Sequence, residues 1–125
     1  MSHKVLIIDD EEGMRRILSI ILERAGYEII VAENGQDGLN QVYNHQPNVV
    51  VMDDMMPGLS GGEVCMRLKS DRTLSHIPVI MHSASMEMQN RTYIEQIGAD
   101  HALMKPCPAP VMLNTIEQCL SAITQ

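Results

Sequence analysis

The chain has 125 residues, enough for one domain around one core. Its hydrophobic fraction of 45% is that of an ordinary globular protein. A net charge of −7, from 9 basic and 16 acidic residues, argues against a phosphate-backbone binder and against a polybasic membrane anchor.

No apolar run approaches the roughly 18 residues of a membrane helix. Met1-Ser2-His3-Lys4 leads straight into a strand pattern with no signal peptide, so a cytoplasmic location is expected. Lys4 to Ile8 reads as the first strand, and Glu12 to Ala25 as a helix with Met14, Ile17, Leu18, Ile21 and Leu22 on one face, stopped by Gly26. Tyr27 to Ala32 is a second strand and Gln36 to His45 a weaker helix, with Pro47 beyond its end. Asn48 to Asp53 is a third strand, followed by a loop at Met55-Met56-Pro57-Gly58-Leu59-Ser60-Gly61-Gly62. Glu63 to Asp71 is a helix, Pro78 to His82 a fourth strand and Met86 to Ile97 a helix closed by Gly98. His101 to Met104 is a short fifth strand. Pro108 to Ile123 is the last helix, with Met112, Leu113, Ile116, Leu120 and Ile123 apolar and Pro110 in its first turn.

Strands alternating with helices across short loops predict an α/β sandwich: a five-stranded parallel sheet with helices on both faces. The flavodoxin-like doubly wound order 2-1-3-4-5 fits, and such folds bind ligands outside the carboxyl ends of the strands at the switch point, here between strands one and three. Residues 1–125 read as a single domain, without repeat or linker.

Both of those strands end in acid pairs, Asp9-Asp10 and Asp53-Asp54. Carboxylates that close repel by roughly 1 to 4 kcal/mol per pair. A hard divalent cation, which takes carboxylate and carbonyl oxygens, would relieve that repulsion. Strand four ends in Ser83 and strand five in Lys105. Acids to hold a metal, with a hydroxyl and an ammonium for phosphoryl oxygens, suit phosphoryl transfer, and a carboxylate can itself be the nucleophile. Singly, each residue has a plainer role: Asp9, Asp10 or Ser83 as a helix cap, Lys105 as a solvated lysine, Asp53 as a turn residue. Their joint placement at successive strand ends favours chemistry.

Val5-Leu6-Ile7-Ile8-Asp9-Asp10-Glu11, Met52-Asp53-Asp54-Met55-Met56-Pro57-Gly58, Pro78-Val79-Ile80-Met81 with Ser83-Ala84, and Lys105-Pro106 together resemble the receiver domain of two-component response regulators. The resemblance runs from the first strand to the last helix. It implies Asp53 as phosphoacceptor, with Lys105 and Ser83 serving the phosphoryl group. It implies Asp9, Asp10 and Asp53 as ligands of Mg2+, joined by the backbone carbonyl of Met55. It also implies a cis peptide before Pro106, a sensor histidine kinase or phosphotransfer protein as donor, and a shift of the helix 4, strand 5 and helix 5 face read by an effector domain or target protein.

Three positions depart from the family pattern. Ala102, with His101 before it, stands where a switch aromatic is common, so the output face is expected to respond through Ser83, with His101 the alternative. Asp54 replaces a common apolar residue and is expected to point into solvent. Cys107 replaces a common Phe, at a cost in packing volume. Cys65, Cys107 and Cys119 read as reduced thiols acting as small apolar side chains, and His3, His45, His76, His82 and His101 lack ligand spacing for zinc. No Lys or Arg follows Lys105, which argues against a symmetric dimer through the last helix and for a monomer.

Rival readings are weaker. An aspartyl phosphatase would carry a second acid where Met55 stands, and a flavin carrier needs a phosphate loop that Asp9-Asp10-Glu11-Glu12 would repel. A docking-only pseudo-receiver would not need the complete acid, hydroxyl and lysine set. No effector domain is apparent, and both a stand-alone receiver and a piece of a longer regulator fit.

Overall fold

The computed structural model describes residues 2–124, with side chains through residue 121. Five parallel strands, β1 (Lys4–Ile8), β2 (Glu28–Ala32), β3 (Val49–Met52), β4 (Val79–Ser83) and β5 (His101–Met104), form one sheet in the order β2-β1-β3-β4-β5. The order is the one expected from sequence. Among the described residues five helices cover it: α1 (Glu12–Arg24), α2 (Gly35–His45), α3 (Gly61–Ser70), α4 (Arg91–Ile97) and α5 (Ala109–Thr124).

Strand alternation sorts the core into two layers. Val5, Ile7, Val49, Val51 and Ile80 pack under α1 and α5 with Leu18, Leu22, Met112 and Ile116. Leu6, Ile8, Val50, Met52, Val79 and Met81 pack under α2, α3 and α4 with Leu39, Val64, Leu68 and Ile97. β1 is central enough that Val5 to Ile8 are fully buried. Burying such side chains stabilises by about 1.5–3 kcal/mol each, which explains why β1 carries no polar residue beyond Lys4 at its entry. The register pairs Ile8 with Met52, so Asp9 and Asp53 leave adjacent strands side by side.

Most boundaries differ from the expectation by one or two residues, and a few differ for a physical reason. The predicted helix 86–97 is broken: Met86–Gln89 is a 3-10 turn, and Asn90 then caps α4 by accepting from the Tyr93 amide. Two competing caps in one stretch, Ser85 and Asn90, split the helix where periodicity alone joins it. α3 begins at Gly61 rather than Glu63, because Ser60 and Glu63 form a reciprocal capping box that draws both glycines into the first turn. β3 stops at Met52 and β4 runs through Ser83, one residue off in each case. Ile17, expected on the buried face of α1, is 54% exposed, and Ile20 beside it is also exposed. Ile123, counted on the apolar face of α5, lies outside the described side chains.

Gly98 closes α4 in the left-handed conformation at φ +80°, where a side chain would be strained. The three cysteines are free, and burial pushes the Cys65 thiol up to about 12 and the Cys119 thiol to about 11, as befits inert apolar packing. Among the described residues no helix is long and apolar enough to cross a membrane.

Candidate phosphoacceptor and metal site

The carboxyl ends of β1, β3 and β5 bring acids and one lysine to a single point. Oxygens of Asp9, Asp10 and Asp53 lie within 4.8 Å of one another. Asp9 and Asp53 are buried and Asp10 is exposed. Lys105 reaches over them from the end of β5. Its Nζ lies 2.9 Å from Asp9 Oδ2, 3.3 Å from Asp53 Oδ2 and 3.3 Å from Glu11 Oε1. The Lys105–Pro106 peptide is cis, as the resemblance implied.

The backbone holds these groups firmly. The Asp53 amide donates to Ile8 O, and the Asp9 amide donates to Ala32 O, so the sheet ladder continues into the site. Asp9 Oδ1 accepts from the Glu11 amide, and Arg15 donates to the Asp9 carbonyl at 2.7 Å. Asp53 Oδ1 accepts from the Met55 amide at 3.3 Å.

Burial pushes the Asp9 carboxyl up, against the opposing pull of the Glu11 amide and of the Lys105 ammonium. Lys105 shows the complementary balance. Burial works to lower it, but hydrogen bonds and attraction from Asp9 and Asp53 prevail and hold it above its ordinary value. The ammonium is thus fixed in the charged form by the acids it neutralises.

Ser83 is fully buried at the end of β4. Its hydroxyl accepts from the Ser85 amide at 3.3 Å, and its carbonyl takes the Lys105 amide at 2.9 Å. Met55 is more than half exposed on the loop beyond Asp53. Ala102 is half-buried on β5 and packs against the α2, α3 and α4 layer, while His101 is also half-buried.

Asp54 corrects the expectation of a solvent-facing acid. It is only 7% exposed. Alternation along β3 is the cause: Asp53 continues the α1 and α5 side, so the next residue must turn under α3 and α4. There its Oδ1 accepts from the Gly62 amide at 2.8 Å, and the Tyr93 hydroxyl lies 2.9 Å from both carboxylate oxygens. A buried acid is tolerable because donors surround it.

Sequence reasoning did not single out Tyr93, Arg15, Gly61 or Gly62. The glycines are required by space: a Cβ at Gly61 would strike the Asp53 carbonyl, and one at Gly62 the Tyr93 hydroxyl. His82 also went unassigned. It is 3% exposed, its Nδ1 has no partner, and burial, helped by the Lys105 charge, pulls its pKa down to about 4.

A doubly wound parallel sheet with three carboxylates beside a lysine at its switch point defines an α/β protein with an acidic, oxygen-lined site at the strand ends. The comparisons with known proteins narrow this class. The sequence pattern of the response regulator receiver domain matches residues 5–117, and the chain belongs to that family. It is 39% identical over 102 residues to the phosphate regulon transcriptional regulatory protein PhoB of Pseudomonas aeruginosa, covering 82% of this chain and 44% of that protein. It is 35% identical over 106 residues to the alkaline phosphatase synthesis transcriptional regulatory protein PhoP of Bacillus subtilis, covering 85% and 43%. The chain thus spans less than half the length of these curated relatives. Among solved structures, the receiver domain of a signal transduction histidine kinase from Syntrophus aciditrophicus superposes with a TM-score of 0.91 at 27% identity, over 99% of this chain and 94% of that one. The chemotaxis response regulator CheY4 of Vibrio cholerae superposes with a TM-score of 0.88 at 26% identity, over 96% and 100%.

Proposed function

We propose that this receiver domain takes a phosphoryl group onto Asp53 from the phosphohistidine of a sensor histidine kinase or phosphotransfer protein. One observation carries the reading: a buried carboxylate and a buried neighbour, Asp53 and Asp9, share one ammonium, Lys105, at the mouth of the sheet. A carboxylate oxygen of Asp53 attacks phosphorus, the P–N bond breaks, and its electron pair returns to the imidazole of the donor. Lys105 follows the transferred group and pairs with its oxygens, exchanging a carboxylate partner for a phosphoryl one. The Ser83 hydroxyl turns from the Ser85 amide toward the new oxygens and draws the loop after β4 with it.

The donor set suits Mg2+, since it consists of hard oxygens alone and clusters charge that needs a cation. Asp9, Asp10 and Asp53 would hold the ion with the Met55 carbonyl. When bound, it would neutralise charge developing on the phosphoryl oxygens.

The resulting acyl phosphate is a signal rather than a step in turnover. Where an aspartyl phosphatase would carry a second acid, this chain has Met55. Residues 1–125 act as one receiver unit. An effector domain or separate target reads the face of α4, β5 and α5, and the unit itself binds neither nucleic acid nor membrane, in keeping with a net charge of −7. A monomer fits the absence of Lys and Arg after Lys105.

Intact mass after incubation with Mg2+ and acetyl phosphate tests the reading. A gain of about 80 Da, one phosphoryl group, is expected in the wild type and not in Asp53→Asn. An adduct that survives Asp53→Asn would move the acceptor elsewhere, and no adduct despite Mg2+ binding would favour a docking-only module.

A further inference from the structure

β5 carries no aromatic residue, and its only polar side chain, His101, is at the far end from the site. β5 therefore offers no aromatic contact between Asp53 and the output face, whereas Asp54 touches α4 directly. Four donors converge on this residue. Its carbonyl accepts from the Met56 amide at 3.1 Å and the Gly61 amide at 2.9 Å. Its carboxylate accepts from the Gly62 amide at 2.8 Å and from the Tyr93 hydroxyl at 2.9 Å. One residue thus joins the acceptor loop, the first turn of α3 and the first turn of α4.

The junction is largely buried and tightly fitted. Asp54 is 7% exposed and Gly62 is buried. Hydrogen bonds in such surroundings are stronger and more directional than in water. Gly62 has no room for even a methyl group without striking the Tyr93 hydroxyl. The phenol therefore sits directly against the first turn of α3. α4 itself has only seven residues, with a 3-10 turn before it, so few bonds of its own oppose a shift.

We propose that the Asp54–Tyr93 hydrogen bond carries displacement of the acceptor loop into α4, so that Tyr93 is the positioning residue through which the output face follows the state of Asp53. The inference rests on Asp53 being the phosphoacceptor. Phosphorylation replaces the single carboxylate charge one residue away with a bulkier phosphoryl group carrying about −1.5 to −2. A loop pinned at Asp54 cannot adjust without moving the phenol, and with it the turn of α4 that bears it.

Amide NMR spectra of the 15N-labelled protein test this, recorded with Mg2+ before and after addition of phosphoramidate. Intact mass of the same sample reports the adduct. In the wild type, amides of residues 91–97 should shift on phosphorylation. In Tyr93→Phe the adduct should form as before, shifts around Asp53 should persist, and those of residues 91–97 should be lost. Asp54→Asn keeps an oxygen acceptor for both donors and should retain the α4 response, while Asp54→Ala should lose it. Unphosphorylated spectra of each variant establish that the fold is kept. A response of wild-type size in Tyr93→Phe would overturn the proposal, as would a phosphorylated wild type whose α4 amides stay still. A wild type that takes up no phosphoryl group would instead overturn the assignment of Asp53.

Discussion

Lys105 Nζ stands 2.9 Å from Asp9 but 3.3 Å from Asp53, so the lysine leans toward the β1 acid and away from the expected acceptor. It occupies the position of a counter-ion to the whole cluster. A divalent cation entering that cluster meets an ammonium already there and must compete with it. Lys105→Met should therefore have opposite effects on two measurements. Without divalent cations the variant should lose about 3 kcal/mol of stability, because buried acids are left without their partner. Its Mg2+ affinity should rise about tenfold, equivalent to about 1.4 kcal/mol. Urea unfolding and calorimetric titration read the two effects, and a variant that binds Mg2+ less tightly would show that Lys105 organises the ligands rather than opposing the ion.

His82 predicts a pH dependence. Its folded-state pKa of about 4 lies below the ordinary 6.5. Between those values the unfolded chain binds the proton more readily, so stability falls as pH drops from about 6.5 to about 4 and levels below that. The full effect is about 3 kcal/mol by the size of the shift. His82→Leu should flatten this part of the curve and raise stability at neutral pH, since it also removes an unpartnered ring nitrogen. Unfolding midpoints across that range for both proteins isolate the contribution. Parallel curves would mean that the imidazole finds water or a partner when charged.

The two glycines that open α3 should not be equivalent. At Gly61 an added methyl meets fixed backbone, the Asp53 carbonyl, whereas at Gly62 it meets the tip of a side chain, the Tyr93 hydroxyl. Gly61→Ala should cost about 2–3 kcal/mol by overpacking and displace the acceptor. Gly62→Ala should cost less, and combining it with Tyr93→Phe should recover part of the loss by removing the obstructing oxygen. A double-mutant cycle from thermal unfolding tests this, and additive losses would disprove the clash.

Ser60 caps α3 by accepting from the Glu63 amide, while Glu63 returns the bond to the Ser60 amide. Ser60→Ala should cost about 1 kcal/mol in urea unfolding, the usual worth of an N-cap. Ser60→Gly should cost less, about 0.3 kcal/mol, because glycine is tolerated at that position where alanine is not. Loss of helix content beyond the first turn would indicate that α3 depends on the cap for nucleation.

Much of this architecture could be read before any coordinates. Apolar runs ending in acids located β1 and β3, and strands alternating with helices pointed to a parallel sheet that the order 2-1-3-4-5 fits, with the acids at its switch point. Asp9, Asp10, Asp53, Ser83 and Lys105 were identified as candidates by position at strand ends, and the structure brings Asp9, Asp10, Asp53 and Lys105 into contact. Asp54 was misplaced because charge was weighed above alternation. The residue after an inward-facing strand end turns to the opposite layer, and here that layer is covered by α3 and α4. Tyr93 was invisible for a different reason: its partner lies 39 positions away, and no local pattern encodes a hydrogen bond of that span. The division of residues 86–97 escaped notice because side-chain caps at Ser85 and Asn90 act on backbone amides, without altering the apolar period.

Consecutive acids at the end of β3 face opposite sides of the sheet. One side holds the lysine and the neighbouring carboxylates; the other meets a phenol on a surface helix. The sheet end thus works as a bulkhead with a through-fitting at Asp54, keeping the acid cluster apart from α4. The exposed residues of α4, Arg91, Thr92, Glu95 and Gln96, can change without opening the acid cluster. If Asp53 is the phosphoacceptor as proposed, the acid cluster and the face of α4 meet at one peptide bond, between Asp53 and Asp54, and substitutions on one side should leave the other unchanged.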